Sequence, residues 1–289
     1  MTSLAYHAPE TIAQAIALLA ADSSARVLAG GTDLLIQMRS GRIAPAHIVD
    51  IKRIGGLTGV RADRDGFVIG AATPCTALKD DEALVRAWPG VVEAANLIGS
   101  VQVRNRATMA GNICNASPAA DAVPALIAAG ATCRIAGPGG ERIAAVEDIA
   151  SGPGRTSLMP GEFVVDIRLA VRPTGGGDAY LRLIPRTEMD IAVVGAGAAL
   201  VLAPDGICTA ARIALGAVAP TALLVPAAGA ALIGTKLDAA ALDAMVEAAR
   251  AAALPIDDKR GQAAYRIEMA GVLARRVVAI ARQRAEDQA

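Results

Sequence analysis

At 289 residues the chain is long enough for two or three domains, each with its own core. Its 28 basic and 28 acidic residues cancel, which argues against a nucleic-acid partner drawn in by a basic surface. Apolar residues make up 54% and aromatics 2%, so the core is built from Ala, Val, Leu and Ile. The longest uncharged apolar stretches, 191–203 and 221–234, fall short of the ~18–20 residues of a membrane span.

In chain order, residues 9–21 read as an amphipathic helix, with Pro9 near its first turn and Ile12, Ala15, Ile16 and Leu19 on one face. The opening Met1-Thr2-Ser3-Leu4 has neither a basic n-region nor an apolar h-region, so no signal peptide is expected. A strand at 26–29 meets Gly30-Gly31, a helix runs from Asp33 to Arg39, and 48–51 is a strand, completing a small α/β unit. Next come a strand at 66–72, a helical stretch opened by Thr73-Pro74, and one or two helices over 82–98, interrupted by Pro89. Residues 119–129 are helical, strands 131–136 and 141–145 flank the turn signal Gly137-Pro138-Gly139-Gly140, and strand 162–171 closes the block. Pro173-Thr174-Gly175-Gly176-Gly177 is the linker candidate. Strands 179–184, 191–202 and 207–215 then precede helices 226–232, 238–253 and 261–284. That order predicts an α+β domain with helices on one face of its sheet.

Two glycine-centred loops carry the chemistry. Leu28-Ala29-Gly30-Gly31-Thr32-Asp33-Leu34-Leu35 follows a strand. Thr108-Met109-Ala110-Gly111-Asn112-Ile113 runs on into Cys114-Asn115-Ala116-Ser117-Pro118-Ala119-Ala120-Asp121. Neither contains Lys or Arg. Glycine lets backbone N–H groups approach a diphosphate, and Thr32, Thr108, Asn112 and Ser117 add neutral donors. A Gly-Gly pair alone is most often a turn. A strand leading in, a helix N-terminus following, and a second such loop in another domain together favour a dinucleotide gripped from both sides.

Other features weigh less. Gly195-Ala196-Gly197 looks like a Rossmann fingerprint, but Leu200 fills the sixth position and no acidic residue follows about 20 positions on. Those glycines read as packing accommodations within a strand. Arg182, Arg186, Glu188 and Asp190 form a charged run whose default is a solvated strand edge, the alternative being arginines that face a phosphate or a flavin. The last helix places Arg266, Arg275, Arg276, Arg282 and Arg284 around an apolar face, read as a solvent-facing basic surface. Cys75, Cys114, Cys133 and Cys208 stand apart with no CxxC pair, as buried thiols in a reducing cytoplasm do, and two histidines make no metal site. No catalytic triad assembles around His7 or His47.

The match then extends to a family. Residues 28–35 and 103–126, Ile69-Gly70-Ala71-Ala72-Thr73, Pro185-Arg186-Thr187-Glu188-Met189-Asp190-Ile191-Ala192, Gly216-Ala217-Val218-Ala219-Pro220-Thr221 and 265–276 resemble, in order, the FAD-binding subunit of the molybdenum hydroxylases. These are the xanthine dehydrogenase and carbon monoxide dehydrogenase relatives. The resemblance implies an α+β chain with a vanillyl-alcohol-oxidase-type FAD fold. Two α/β subdomains, 1–55 and 56–174, would clasp FAD ahead of a C-terminal α+β domain at 178–289. Carried over by position, Leu28, Ala29, Gly30, Gly31, Thr32, Asp33, Leu34 and Leu35 would wrap the diphosphate. Thr108, Ala110, Gly111, Asn112 and Ser117 would form the second cradle, Asp121 would hold the ribityl or diphosphate region, and Ile98 and Val164 would pack on the cofactor. Arg182 falls where relatives commonly carry a lysine near the flavin, and Thr187 where some carry a second arginine. Ala110 replaces a common glycine, so its backbone must avoid positive φ.

The resemblance further implies a cytoplasmic heteromer, a dimer of heterotrimers. A large subunit would hold molybdopterin, a small one two [2Fe–2S] clusters, and electrons would pass through FAD to NAD⁺, oxygen or another acceptor. No catalytic or metal-binding residue is expected in this chain, and the cysteine-bearing insertion that would carry an extra cluster is absent. A stand-alone FAD reductase or oxidase, or a cofactor-free assembly subunit, remains the alternative.

Overall fold

The computed structural model describes residues 4–288; Met1-Thr2-Ser3, part of the segment read for a signal peptide, and Ala289 lie outside the described residues. The first layer contains β1 (Ala5–His7), α1 (Ile12–Ala21), β2 (Arg26–Leu28), α2 (Leu34–Arg39) and β3 (His47–Asp50). Its three strands are parallel in the order β1-β3-β2. Thr11 starts α1, its Oγ1 accepting from Gln14 N at 3.2 Å, so Pro9 stands outside the helix rather than in its first turn.

The middle unit runs through β4 (Val60–Asp63), β5 (Gly66–Gly70), α3 (Glu82–Ala87), α4 (Pro89–Asn96), α5 (Val101–Arg104), α6 (Met109–Cys114), α7 (Ala122–Ala128), β6 (Thr132–Gly137), β7 (Gly140–Ala145), β8 (Ala150–Gly152), β9 (Arg155–Thr156) and β10 (Phe163–Ala170). Five of these strands form an antiparallel sheet ordered β4-β5-β10-β6-β7. Pro89 does divide the predicted 82–98 stretch: it opens α4, where its missing N–H is no loss. All seven residues of α7 are buried, as an all-apolar helix requires.

The last unit comprises β11 (Gly176–Leu183), β12 (Val194–Leu202), β13 (Cys208–Gly216), β14 (Leu223–Leu224), α8 (Pro226–Ala230), α9 (Ala239–Ala252) and α10 (Ala263–Glu286). Its antiparallel sheet follows chain order, β11-β12-β13-β14. Two details differ from the sequence reading. Gly176 and Gly177 belong to β11 rather than to the linker, and a Cβ on Gly177 would stand 1.9 Å from Ala281 O of α10. The sheet is also covered on both faces, by α10 on one and by α7 of the middle unit on the other. Gly197 is a packing glycine: a Cβ there would meet Pro124 O of α7 at 2.5 Å.

Polar contacts fasten the last two units. Arg172 pairs with Asp178 at 2.7 Å, their side chains 6% and 4% exposed. The Arg172 guanidinium lies 4.9 Å from the Trp88 ring centroid, bonds Ala87 O, and donates to Gly176 O at 3.0 Å. Asp178 Oδ2 accepts from Val91 N at 3.2 Å, and Arg284 joins Glu93 to Asp178 O. Asp178→Ala leaves Arg172 buried and uncompensated. We expect a loss of about 3–5 kcal/mol in chemical denaturation; a loss within ~0.5 kcal/mol would contradict this role.

Candidate functional site

The first glycine loop leaves β2 and passes directly against the second. A Cβ at Gly30 would lie 2.0 Å from Arg106 O and 3.0 Å from Ala107 Cα, so only glycine fits there. Gly31 turns the chain at φ +78°, a left-handed conformation that suits glycine. Asp33 occupies the N-cap of α2 but makes no capping bond with its side chain.

The second loop is a helix start rather than an open loop. Thr108 Oγ1 accepts from Gly111 N at 2.9 Å and opens α6, an element the sequence pattern did not show. Ala110 therefore sits in right-handed helix, and alanine replaces glycine there without strain. Cys75 N donates to Ala107 O at 2.8 Å, and Pro74 bridges Thr108, which anchors the turn from behind. Asn112 Oδ1 accepts from Ala122 N at 3.1 Å, tying α6 to α7.

Both loops open onto one cavity of about 500 Å³. Ala29, Gly30, Gly31, Thr32, Asp33, Leu34, Ile98, Thr108, Ala110, Gly111, Asn112 and Val164 all line it. The wall that sequence reasoning missed is the turn from Thr156 through Leu158, Met159, Pro160, Gly161 and Glu162 to Phe163, together with Ser23, Arg26, Gln37, Ile43 and Asn115. Pro160-Gly161 ahead of a strand was the available signal. Gln37 Nε2 donates to Asn115 Oδ1 at 2.9 Å and so bridges the two loops by side chains as well.

The cavity suits a dinucleotide by the character of its wall. A Cβ at Gly111 would meet only Thr108 Oγ1, at 3.0 Å, with no other atom within 4 Å, so this stretch of backbone faces open space. The volume falls within the roughly 300–1,000 Å³ of pockets that take cofactors. Glu162, a charged group in the wall, is neutralised by Arg142 at 2.8 Å. Burial pushes the Cys114 thiol, also in the wall, up to about 12, so it is neutral and no nucleophile at physiological pH.

Five of the sequence-derived positions stand outside this wall. Leu28 and Leu35 flank Gly31, and Ser117 turns back on its own chain, Oγ accepting from Ala119 N at 3.3 Å. Arg182 and Asp121 pair with each other at 2.7 Å, with side chains 4% and 10% exposed, and Tyr180 OH donates to Asp121 at 3.2 Å. This triplet joins the N-terminus of α7 to β11. Burial drives the Asp121 carboxyl up to about 6, against the pull of Arg182 and Tyr180.

The remaining polar features are structural. Arg104 of α5 reaches Glu188 at 3.8 Å, and Arg186 reaches Asp190 at 3.3 Å, so the charged run between β11 and β12 is paired within itself and to α5. The basic surface read on α10 is corrected at Arg266, which is buried and bonds Ala217 O and Asp258, while Arg276 is exposed. Arg275, Arg282 and Arg284 each pair with a carboxylate. His7 Nε2 lies 3.0 Å from His47 Nδ1, and His47 lies 3.5 Å from Asp22, a pairing created by the parallel β1-β3 contact. Among the described residues no cluster of metal-ligating side chains and no membrane-spanning helix is found.

Comparison with known proteins agrees with this architecture. Residues 2–171 match the FAD binding domain in molybdopterin dehydrogenase, and residues 179–281 match the CO dehydrogenase flavoprotein C-terminal domain. The carbon monoxide dehydrogenase medium chain of Afipia carboxidovorans is 41% identical, over 99% of both chains. The putative xanthine dehydrogenase FAD-binding subunit of Escherichia coli is 33% identical, over 94% of both. Among solved structures, CO dehydrogenase from Oligotropha carboxidovorans superposes with a TM-score of 0.93 at 40% identity, covering 98% of each chain. Quinoline 2-oxidoreductase from Pseudomonas putida gives 0.89 at 30% identity, again over 98% of each. Fold and cavity thus define an FAD-binding flavoprotein of the oxidoreductases. The chain belongs to the FAD-binding medium-subunit family of the molybdopterin dehydrogenases, which includes the carbon monoxide and xanthine dehydrogenases.

The Asp121 site has a testable pH signature. A carboxyl that titrates at about 6 folded and 3.8 unfolded binds its proton more tightly in the native state. Its contribution to stability is therefore full below about pH 4 and falls as pH rises through about pH 6. Relative to Asp121→Asn, the wild type should lose on the order of 3 kcal/mol across that window. Denaturation curves at the two ends check this, and a pH-independent difference would contradict it.

Proposed function

We propose that the chain holds one FAD across the cavity between its two glycine loops and serves as the electron outlet of a three-subunit molybdenum hydroxylase. A single observation carries the reading: two loops from separate subdomains, both free of Lys and Arg, line one cavity. FAD supplies a centre that accepts electrons one or two at a time and passes them on. The residues of this chain do the holding. Backbone donors of Gly30, Gly31 and the first turn of α6 would meet the diphosphate, with Thr32, Thr108 and Asn112 as neutral side-chain donors. Ile98, Val164 and Phe163 would exclude water from the apolar parts of the cofactor.

Partner identity follows from the relatives, which are medium chains or complex subunits by name. On that basis a large subunit oxidises the substrate at molybdopterin, and a small [2Fe–2S] subunit delivers electrons to this chain's FAD. NAD⁺, oxygen or another acceptor then receives them, in a cytoplasmic dimer of heterotrimers. Outer-sphere transfer needs no acid–base dyad in this chain. Leu28, Leu35, Ser117, Asp121 and Arg182 would act on the cofactor from behind the cavity wall, through the segments they brace.

Two glycine variants separate cofactor binding from folding. Gly111→Val should leave a folded chain without FAD, because the side chain would enter the open cradle. Gly30→Ala should instead destabilise the chain with or without FAD, because its Cβ meets Arg106 backbone. Flavin absorbance per chain and thermal midpoints report the two effects. Normal flavin content in Gly111→Val would defeat the loop assignment. Co-purification with two chains carrying molybdenum and iron tests the subunit reading. Rapid turnover of a substrate by the isolated chain with NADH or oxygen would overturn it.

A further inference from the structure

The first glycine loop contains no cation, yet one is applied to it from behind. Lys52, just after β3, donates from Nζ to Ala29 O at 3.0 Å and to Asp50 Oδ1 at 2.6 Å. Tyr6 OH, on β1, donates to the other carboxylate oxygen of Asp50, also at 2.6 Å. Asp50 is 6% exposed. Burial opposes its ionisation, but the bonds from Lys52 and Tyr6 outweigh that cost and hold the carboxyl below its ordinary range. Since the sheet order is β1-β3-β2, the chain of bonds from Tyr6 through Asp50 and Lys52 to Ala29 crosses the whole three-stranded layer.

Peptide geometry transmits this contact to the cavity. A trans peptide is planar, so its carbonyl and its N–H point in opposite directions. Ala29 O faces Lys52, which lies outside the cavity wall, whereas Ala29, Gly30 and Gly31 all line the cavity. Fixing the carbonyl toward Lys52 aims the Gly30 N–H the other way, toward the cavity side. A cation on the carbonyl also polarises the peptide and makes that N–H a stronger donor.

We propose that Lys52 is the positioning residue of the first FAD loop, with Asp50 and Tyr6 holding its ammonium on the Ala29 carbonyl. The proposal rests on the reading of this loop as an FAD cradle. Lys52 supplies through a peptide the positive charge that the loop lacks in its own side chains.

FAD titration of the apo chain, followed by quenching of flavin fluorescence, tests this alongside the thermal midpoint of each apoprotein. Lys52→Met should bind FAD roughly tenfold more weakly, the scale of one hydrogen bond to a charged group. Lys52→Arg should recover most of that loss, because its fork reaches both the carbonyl and Asp50. Tyr6 is exposed, so Tyr6→Phe preserves the fold and should weaken binding by a smaller factor. Unchanged affinity in Lys52→Met, or equal losses in the Met and Arg variants, would overturn the proposal. If Lys52→Met does not fold, Tyr6→Phe carries the test, and wild-type affinity there would overturn it. A wild-type chain that binds no FAD would instead defeat the cradle reading itself.

Discussion

Everything at the site depends on the backbone of Gly30 lying against the backbone of Arg106 and Ala107. The first loop leaves a strand and the second joins two helices of the middle unit, and a single methyl at Gly30 would force them apart. Because they touch through main chain, the floor between them is set by packing rather than by a ligand. Further bonds stiffen the same junction from outside: Cys75 N to Ala107 O, Gln37 to Asn115, and Lys52 to Ala29 O. A cavity built this way is preorganised, and little ordering entropy is lost when it fills.

The same economy of small residues positions the rest. The low aromatic content leaves gaps to be closed by close approach, and glycine and alanine allow it. Helix α7 passes between the middle unit and the C-terminal sheet as a wholly buried rod, met on one side by Gly197. The buried pair Arg182–Asp121 locks that contact in register, and Arg172–Asp178 fastens α4 to the same sheet. The proposed electron transfer between fixed centres needs unchanging distances, which a chain welded at its domain boundary would provide. The oxidoreductase family to which it belongs places such a flavoprotein beside other redox subunits.

Sequence alone made much of this legible, for identifiable reasons. Long periodic segments such as α9 and α10, the break at Pro89 and the hairpin at Pro138-Gly139 are local signals, and the structure contains each of them. The residues by themselves pointed to an anion cradle; only the ordered family resemblance turned that into FAD. Apart from the capped start of α6 at Thr108, what escaped notice was non-local. β1 is three residues long and exists through its parallel pairing with β3. The turn from Thr156 to Phe163 becomes cavity wall only because β10 inserts between β5 and β6. The partners of Arg182, Arg275 and Arg284 lie far away in sequence, and Arg266 of the run read as a basic surface proved to be buried.

Hydrogen exchange of the apo chain, measured by mass spectrometry before and after adding FAD, reads out whether loops from both subdomains close on one FAD. Simultaneous protection of peptides spanning 28–35 and 107–115, saturating at one FAD per chain, is the expected result. Protection of one segment without the other, or of neither at saturating flavin, would contradict it.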